Sequence, residues 1–554
     1  MSRVRFARFS TVVIVLVAVA LTAPAASQTP PTSPTPQASP TPQASQTPKS
    51  GGVLNMMLRE DLSQGFAIHE TSTISSVWPV VPCLSNLVLF DPLKKTESVD
   101  TIIGELAEKW SWQDNYRNLV FFLRKGVKWH DGQPFSSKDV KYTFDMIREA
   151  KDAQGKLRLN PRKDWYANVE HVEAPDAHTV VFRLKRPQPS LLMMLASGYT
   201  PIYAAHVPPA QYRTTCVGTG PFKLKEWRKG EFVEYVKNPD YFVKGRPYLD
   251  GLRYVVIVER GTRTAALQAG QLDTAMPGET SKGTMEQLKK AVPQMVFHQV
   301  AQSVTDNIIM NTKKPPFDNP KVRLAVSYAV DRRGLIQASH QGGAVLGAAM
   351  LPKPYGVWGM PEKDLLALPG YGKSDEMKPR AKKLLAEAGI TPEKPLRVEM
   401  ATRAIAIYVD MASFVINELK QVGVEATLKQ VETAQWHPMA TRGDYQLGAN
   451  LTGLGTEDPD ANFYENYACG SPRNYSQYCS EDVMKLFERQ SQELDPKKRV
   501  EQVVAIQKRL EQDAARPILA QRLDYFAHWP HVKGLVPHHN VYNFTRFQDV
   551  WRDK

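Results

Sequence analysis

Residues 119–140 of the chain read LVFFLRKGVKWHDGQPFSSKDV and carry the signals of a strand, a turn and a helix in succession. The apolar run 119–123 predicts a buried strand, and His130-Asp131-Gly132 predicts a turn, because Asp-Gly supplies the backbone geometry of a hairpin. Ser136 or Ser137 then predicts the N-cap of a helix whose apolar face is formed by Val140, Phe144 and Ile147.

Strand and helix signals continue to alternate on both sides of this stretch. Strand patterns occur at residues 53–58, 179–184, 222–224 and 254–258. The second half predicts, in order, a helix opening at Asn319-Pro320, a helix at 379–388, a strand at 396–400, a helix at 405–421, a strand at 424–429 and a helix beginning at Asp495-Pro496. Alternation of this kind predicts an α/β fold.

The first 50 residues have a composition of their own. Three arginines precede the apolar run 11–21, and small residues follow, which predicts a signal peptide over residues 1–25 with cleavage after Ala25 or Ser27. An uncleaved membrane anchor is the alternative, although this run is shorter than the ~20 residues that span a bilayer. Residues 26–50 are rich in Pro, Thr, Ser and Gln and predict an extended linker.

Composition and charge narrow the possible partners. The 554 residues are 42% hydrophobic and 23% charged, which excludes collagen-like and wholly disordered chains. A net charge of +13 would ordinarily suggest nucleic acid or an anionic membrane. Four of these charges lie in residues 1–50, which contain no acidic residue, so the remainder carries a mild +9. For an exported protein this excess predicts no nucleic-acid partner.

The four cysteines suit an oxidising compartment. Cys469 and Cys479 flank a polar loop and form the favoured local pair, in which case Cys83 would join Cys216. Three connectivities are possible, and four free thiols are the alternative. No CxxC spacing of a zinc or redox site occurs.

Motifs of catalysis are missing from the sequence. It contains no P-loop, no HExxH and no GxSxG, and Gly453-Leu454-Gly455 lacks the third glycine of a dinucleotide fingerprint. His531, His538 and His539 have neither a helical i,i+4 pair nor a neighbouring cysteine. We therefore expect no catalytic residues, no metal site and no cofactor, which leaves binding as the function.

Several motifs along the exported chain identify a family. They are LAEKW at 106–110, LRKGVKWHDGQPF at 123–135, GTGPF at 218–222, FDNPKVR at 317–323, AVDR at 329–332, LLAEAG at 384–389 and DPD at 458–460. With these motifs in this order, nearly the whole exported chain resembles the bacterial extracellular solute-binding proteins of family 5. These are the peptide and nickel receptors of ABC importers.

The resemblance implies a type II periplasmic binding protein, in which two α/β lobes close about a hinge like a Venus flytrap. It places lobe I at residues 51–85, 189–300 and 521–554, an inserted subdomain of that lobe at 86–188, and lobe II at 301–520. The chain would then cross the hinge near Gln302 and Gln521. Cys83 and Cys216 would share lobe I.

Arg403 is the strongest candidate for a ligand contact. It lies between the predicted strand 396–400 and the predicted helix 405–421, at the carboxyl edge where open α/β sheets bind ligands. A guanidinium fork beside a helix N-terminus suits a carboxylate. The resemblance implies the same role, because dipeptide-binding proteins place a carboxylate-binding arginine in this segment. A solvated surface arginine is the alternative.

A second feature of dipeptide-binding members is missing. They carry an acidic residue after a Thr-Gly pair, which holds the α-amino group of the peptide. Here Thr452-Gly453 is followed by Leu454. Either Glu457 substitutes for this acid, or the ligand has no free ammonium.

Aromatic walls and one histidine complete the predicted ligand contacts. The resemblance points to Trp165 and Tyr166 in the inserted subdomain and to His69 after the first strand. Trp436 is a further candidate. Packing in the core is the alternative for the aromatic residues.

These features predict a monomeric periplasmic receptor for a peptide-like or small organic, carboxylate-bearing solute. It would deliver the solute to an inner-membrane ABC permease whose ATPase is a separate chain. A secreted hydrolase or metalloenzyme is one alternative. A periplasmic ligand sensor or chaperone-like binding protein is the other.

Overall fold

The structure is a computed structural model that describes residues 47–543 and 546–553. Apart from Thr47, these residues belong to the unit of the chain that begins at Pro48. The predicted signal peptide, residues 1–25, and residues 26–46 of the predicted linker lie outside the described residues. In the described part of the chain, no helix is both long enough and apolar enough to cross a membrane.

The strands of the described residues are numbered in chain order. They are β1 (Val53–Leu58), β2 (Val88–Phe90), β3 (Ile102–Gly104), β4 (Ala107–Gln113), β5 (Asn118–Leu123), β6 (Val169–Asp176), β7 (Thr179–Leu184), β8 (Phe222–Arg228), β9 (Phe232–Lys237), β10 (Gly251–Val256), β11 (Val296–Met310), β12 (Ala344–Val345), β13 (Leu396–Arg403), β14 (Val424–Val431), β15 (Leu447–Gly453), β16 (Ile518–His528), β17 (Val532–Lys533) and β18 (Trp551–Arg552).

The α-helices are numbered in the same way. They are α1 (Ile74–Val80), α2 (Ser137–Ile147), α3 (Leu191–Leu195), α4 (Arg260–Gln268), α5 (Lys282–Ala291), α6 (Pro320–Ala329), α7 (Arg332–His340), α8 (Glu362–Leu365), α9 (Ser374–Glu387), α10 (Ala406–Lys420), α11 (Thr433–Arg442), α12 (Pro459–Asn466), α13 (Glu481–Ser491) and α14 (Pro496–Gln512).

The described residues form three larger sheets. The first has the strand order β1-β10-β9-β8, with β1 and β10 parallel and the other neighbours antiparallel. The second, β4-β5-β7-β6, is antiparallel throughout and lies inside the predicted inserted subdomain. The third is mixed and has the order β12-β16-β11-β15-β13-β14.

Two long antiparallel strands, β11 and β16, connect the first and third sheets. Their ladder pairs residues from Val296 with His528 to Asn307 with Ile518, and Thr274 bridges β16 to β1 of the first sheet. The register of the ladder shifts between Ala301 and Thr305, where Thr305 faces Gln521. Both predicted hinge residues, Gln302 and Gln521, therefore lie at this irregularity, where ladder pairing is interrupted.

Residues 118–147 form the strand, the turn and the helix that the sequence predicts. β5 is followed by a turn in which the Trp129 N–H donates to the Gln133 carbonyl at 2.8 Å. α2 begins after Ser136, whose backbone N–H donates to Asp139 at 2.8 Å. His130 is not paired with Asp131, because its Nε2 lies 3.0 Å from the Gly220 carbonyl while Asp131 contacts His206.

The Gly218-Thr219-Gly220 segment passes very close to residues 82 and 83. A Cβ atom on Gly218 would lie 1.8 Å from the Cys83 carbonyl oxygen, and one on Gly220 would lie 2.5 Å from the Pro82 carbonyl oxygen. Only glycine permits this approach. It brings Cys216 next to Cys83, and the structure joins Cys83 to Cys216 and Cys469 to Cys479, in the pairing that the sequence favoured.

Several predicted boundaries were wrong; the strand predicted at 222–224 continues to Arg228, and the strand predicted at 254–258 is β10, at Gly251–Val256. The helix predicted at 379–388 begins earlier, at Ser374, and contains Pro379 in its interior, because the preceding turn buries Met377. The strand predicted at 396–400 continues to Arg403, since its parallel ladder with β14 extends to the pair Arg403 and Val431. Arg403 is therefore the last residue of a central strand of the third sheet.

Candidate functional site

A cleft lies between the first and third sheets. Its outer part has a volume of about 500 Å³ and is lined by residues of the helices α4, α5, α7 and α10, of the strands β11 and β16, and of the loop that contains Glu279. It continues into an inner cavity of only about 40 Å³, and a further cavity of about 200 Å³ lies beyond. Gln302 lines the outer and inner parts, while His437 and Arg473 line the inner and far parts.

Arg403 lines the inner cavity and is almost fully buried, with 2% of its surface exposed. Its Nη2 donates to Glu60 at 2.7 Å, its Nη1 donates to the Tyr408 hydroxyl at 2.8 Å, and its Nε donates to Thr433 at 3.0 Å. Glu60 follows β1, so this ion pair joins the first sheet to the third. Arg403 is thus not the solvated surface arginine of the alternative interpretation.

The Glu60 carboxylate lies among several donors. It accepts from Ser75 at 2.6 Å and from Thr433 at 2.5 Å, in addition to Arg403. Burial alone would raise the pKa of Glu60, but the neighbouring Arg403 and Arg59 outweigh burial and lower it to about 2. Glu60 is therefore ionised throughout the neutral range.

Arg59 extends the positive lining on the side of the first sheet. Its Nη1 donates to Glu279 at 2.7 Å, and Glu279 also accepts from Arg263 at 2.7 Å. Burial would raise the pKa of Glu279, but the two arginines outweigh it and keep the pKa low. One carboxylate is therefore shared between two buried guanidinium groups.

Arg473 and His437 form the opposite end of the inner cavity. Arg473 donates to Glu465 at 3.1 Å and to the Tyr475 hydroxyl at 2.7 Å, and the same hydroxyl lies 2.7 Å from His437 Nδ1. Burial, together with the charges of Arg403, Arg473 and Arg162, lowers the pKa of His437 well below its ordinary value. His437 is therefore neutral in this site.

The family model described as bacterial extracellular solute-binding proteins, family 5, middle region, matches residues 101–474. The chain belongs to this family.

Relatives and solved structures agree with this assignment. The dipeptide-binding protein of Escherichia coli K12 is 27% identical over 485 residues, which cover 82% of this chain and 86% of the relative. The ABC transporter-associated periplasmic binding protein DppA of Helicobacter pylori, solved with the peptide STSA, superposes with a TM-score of 0.80 at 24% identity and covers 91% of this chain and 99% of that one. The binding protein AgaA of A. tumefaciens R10, solved with agropinic acid, gives a TM-score of 0.78 at 23% identity, with 91% and 99% covered.

These comparisons confirm the predicted family and the two-lobed α/β fold. The protein is a solute-binding protein of the ABC-transporter type and not an enzyme. The family is periplasmic or extracellular. The alternative of a hydrolase or metalloenzyme was therefore wrong.

Within this solute-binding protein, the predicted aromatic contacts lie in packed positions. The Trp165 indole N–H donates to the Ala461 carbonyl at 2.9 Å, and a Cβ atom on Gly455 would lie 2.3 Å from its ring. Tyr166 packs edge-on against Phe144. Neither residue is among the described residues that line the three parts of the cleft, and their ligand contacts stay predictions.

The other four predicted residues are also buried outside the lining. His69 Nε2 lies 2.8 Å from the Pro201 carbonyl, and Trp436 packs in an apolar cluster with Ala401 and Val431. The Leu454 backbone N–H donates to the Ser303 carbonyl, and its own carbonyl accepts from the Asn540 side-chain amide. Glu457 contacts the Ser303 hydroxyl, and burial raises its pKa to about 7.

Several residues that line the inner cavity or contact its lining were not predicted from the sequence. Arg59 and Glu60 directly follow β1, so the rule that ligands bind at the carboxyl ends of strands would have found them. Arg473, His437 and Arg522 carry no comparable signal. They come from a loop, the middle of α11 and the long strand β16.

Proposed function

We propose that the protein captures a peptide-like or other small organic, carboxylate-bearing solute in this cleft and delivers it to the permease of an ABC importer. The permease and its ATPase are separate chains. The observation that carries the proposal is the convergence of buried Arg59, Arg403 and Arg473 on one cavity between two sheets. Guanidinium groups in a water-poor cavity bind carboxylates strongly and with defined geometry.

The narrowness of the inner cavity supports binding by lobe movement. A space of about 40 Å³ admits only a few water molecules. A peptide-sized solute would therefore need the two walls to separate and close again. We assign the walls to lobe I (residues 51–85, 189–300 and 521–554, with the insertion 86–188) and to lobe II (residues 301–520). The shifted register beside Gln302 and Gln521 supports a hinge at the crossings.

The proposal includes the location and the oligomeric state. The predicted signal peptide over residues 1–25 would direct the chain to the periplasm and be cleaved there. A monomer suffices, because both walls of the cleft come from one chain.

The proposed role of Arg403 is tested by Arg403→Lys, which keeps the charge that Glu60 needs but removes the planar fork. We expect the affinity for the physiological solute to fall by about ten- to a hundredfold, because a lysine cannot form the paired hydrogen bonds of a guanidinium. Native mass spectrometry of the purified protein identifies the retained solute, and titration calorimetry then measures the affinity.

Arg397→Lys is the matched control. Arg397 lies on the same strand as Arg403, outside the cleft lining, and forms an exposed ion pair with Glu425 at 2.8 Å. Its replacement should leave the affinity within about twofold of the unchanged protein. Equal affinities for Arg403→Lys and Arg397→Lys would remove Arg403 from the site. Failure of the purified protein to retain or bind any small solute would overturn the proposed function itself.

A further inference from the structure

The charged residues that line the inner cavity are all positive. Arg59, Arg403, Arg473 and Arg522 line it, and no aspartate or glutamate is among its described lining residues. The one histidine of the lining, His437, is neutral for the reason given above. The inner cavity therefore presents guanidinium groups on several sides, and the nearest carboxylates, Glu60 and Glu279, are ion-paired with these arginines.

The carboxylates behind the lining do not balance the arginines. Six guanidinium groups contact four carboxylates. Arg59, Arg263 and Arg403 contact Glu60 and Glu279. Arg162 and Arg473 contact Glu465, and Arg522 contacts Asp306. Asp524 lies behind Gln302, and burial raises its pKa to about 7, so it is only partly ionised at neutral pH. Buried Arg516, which donates to the Arg473 carbonyl, forms no ion pair among the described residues.

This leaves a buried excess of at least one positive charge. Uncompensated buried charge is costly, because the low-dielectric interior replaces the water that would solvate it. A bound anion would supply the missing compensation.

Two lining side chains also have hydrogen-bond capacity left over. Arg59 Nε and His437 Nε2 are buried and form no hydrogen bond among the described residues, and Arg59 Nε lies 3.9 Å from Glu60. Arg59 Nε can only donate. The Tyr475 hydroxyl accepts from Arg473, which leaves its own proton for His437 Nδ1, so that His437 carries its proton on Nε2. Both unused groups are therefore donors that suit an anionic ligand.

We propose that the cavity selects a solute with two negative charges and no free ammonium, such as a dicarboxylate or a peptide-like dicarboxylate whose nitrogen is acylated. This inference rests on the proposed function and narrows its ligand. A zwitterionic dipeptide brings no net charge to the unbalanced arginines. Its ammonium would lie beside like charges, and the carboxylates of the outer cleft, Glu279 and Asp410, are already paired with arginines. Leu454 is aliphatic, and Glu457 contacts Ser303 outside the cavity lining, so neither residue supplies a carboxylate for the ammonium.

The test uses the full mature protein and three probe sets: a library of free dipeptides, the same library N-acetylated, and a series of aliphatic dicarboxylic acids. Native mass spectrometry reads out which masses are retained, and calorimetry measures the best free and acetylated pair. We expect retained masses to be dicarboxylic acids or acetylated dipeptides with an acidic side chain. The acetylated member of a pair should bind at least about tenfold more tightly.

Tighter or equal binding of the free dipeptides would overturn this inference and leave the proposed function standing. No binding from any of the three sets would also overturn this inference, and the proposed function would fall with it only if the purified protein retained no solute of any kind in native mass spectrometry. A variant gives an independent readout, since Leu451→Asp adds a carboxylate to the lining, whereas Leu428→Asp adds one at an exposed position of β14 in the same sheet.

We expect Leu451→Asp to reduce the preference for the acetylated dianion by about tenfold, and Leu428→Asp to leave it unchanged. Thermal unfolding checks that both variants fold. Identical preferences in two folded variants would contradict a role for charge balance. If Leu451→Asp does not fold, the three probe sets on the unchanged protein decide the matter alone.

Discussion

Glu60 is the ion-pair partner of Arg403, the residue that we propose contacts a solute carboxylate. It already accepts a hydrogen bond from Arg403 at 2.7 Å, so an anionic solute must compete with it for the same guanidinium. Glu60→Gln should therefore tighten binding of an anionic solute, by about tenfold. The same change should lower the free energy of unfolding by about 3 kcal/mol, because two buried arginines lose a carboxylate partner. Calorimetry and urea unfolding measure the two effects.

The pH dependence of stability provides the control for this residue. The pKa of Glu60 in the folded protein, about 2, lies below its ordinary value of 4.5. Its stabilising contribution is therefore complete above pH 4.5 and is lost as the pH falls towards 2. Glu60→Gln should flatten that loss, whereas Glu425→Gln, in an exposed pair with Arg397, should not. A Glu60→Gln protein as stable as the unchanged protein at neutral pH would contradict the buried ion pair.

Among the elements, the turn at residues 218–220 depends on one close backbone approach. The Cβ atom of Gly218→Ala would lie 1.8 Å from the Cys83 carbonyl oxygen, and the disulfide of Cys83 with Cys216 holds the two segments together. We expect a loss of unfolding free energy of about 3 kcal/mol or more. Gly126→Ala is the control, because it has a φ of 74° but no atom within 4 Å and should cost only about 1 kcal/mol. Equal losses in denaturant unfolding would refute the steric explanation.

The same elements show which features could be predicted from sequence. The strand at 179–184 and the helix starts at Asn319-Pro320 and Asp495-Pro496 depend on local signals, and they appear as predicted. Arg403 was predicted because it follows a strand. Its partner Glu60 was not, since the two residues are 343 positions apart and only the packing of two sheets brings them together. Trp436 was a candidate ligand contact, but it packs in the core. A single sequence does not show which face of α11 is buried.

At the scale of the whole molecule, burial shifts the pKa values of two groups of residues in opposite directions. Burial raises the pKa of four carboxyl groups to about 7 or 8; these are Glu97, Glu457, Glu511 and Asp524. Burial lowers the pKa of four histidines to about 3 or 4; these are His69, His130, His298 and His538. The folded protein therefore keeps both groups uncharged over a wide range of pH.

The resulting stability should be highest between pH 4.5 and 6.5. Below pH 6.5 the unfolded chain protonates its histidines and the folded protein does not, so stability falls towards pH 4. Above pH 4.5 the unfolded chain ionises its carboxyl groups while the folded protein holds their protons, so stability falls as the pH rises to about 8.

Above pH 6.5 only the effect of the carboxyl groups remains, and Glu97→Gln should reduce that fall in stability by roughly 2 kcal/mol. Glu108→Gln, at an exposed position, should leave the fall unchanged. Thermal and urea unfolding across this pH range decide between a maximum and a monotonic rise, and a rise up to pH 8 would show that these carboxyl groups ionise in the folded protein.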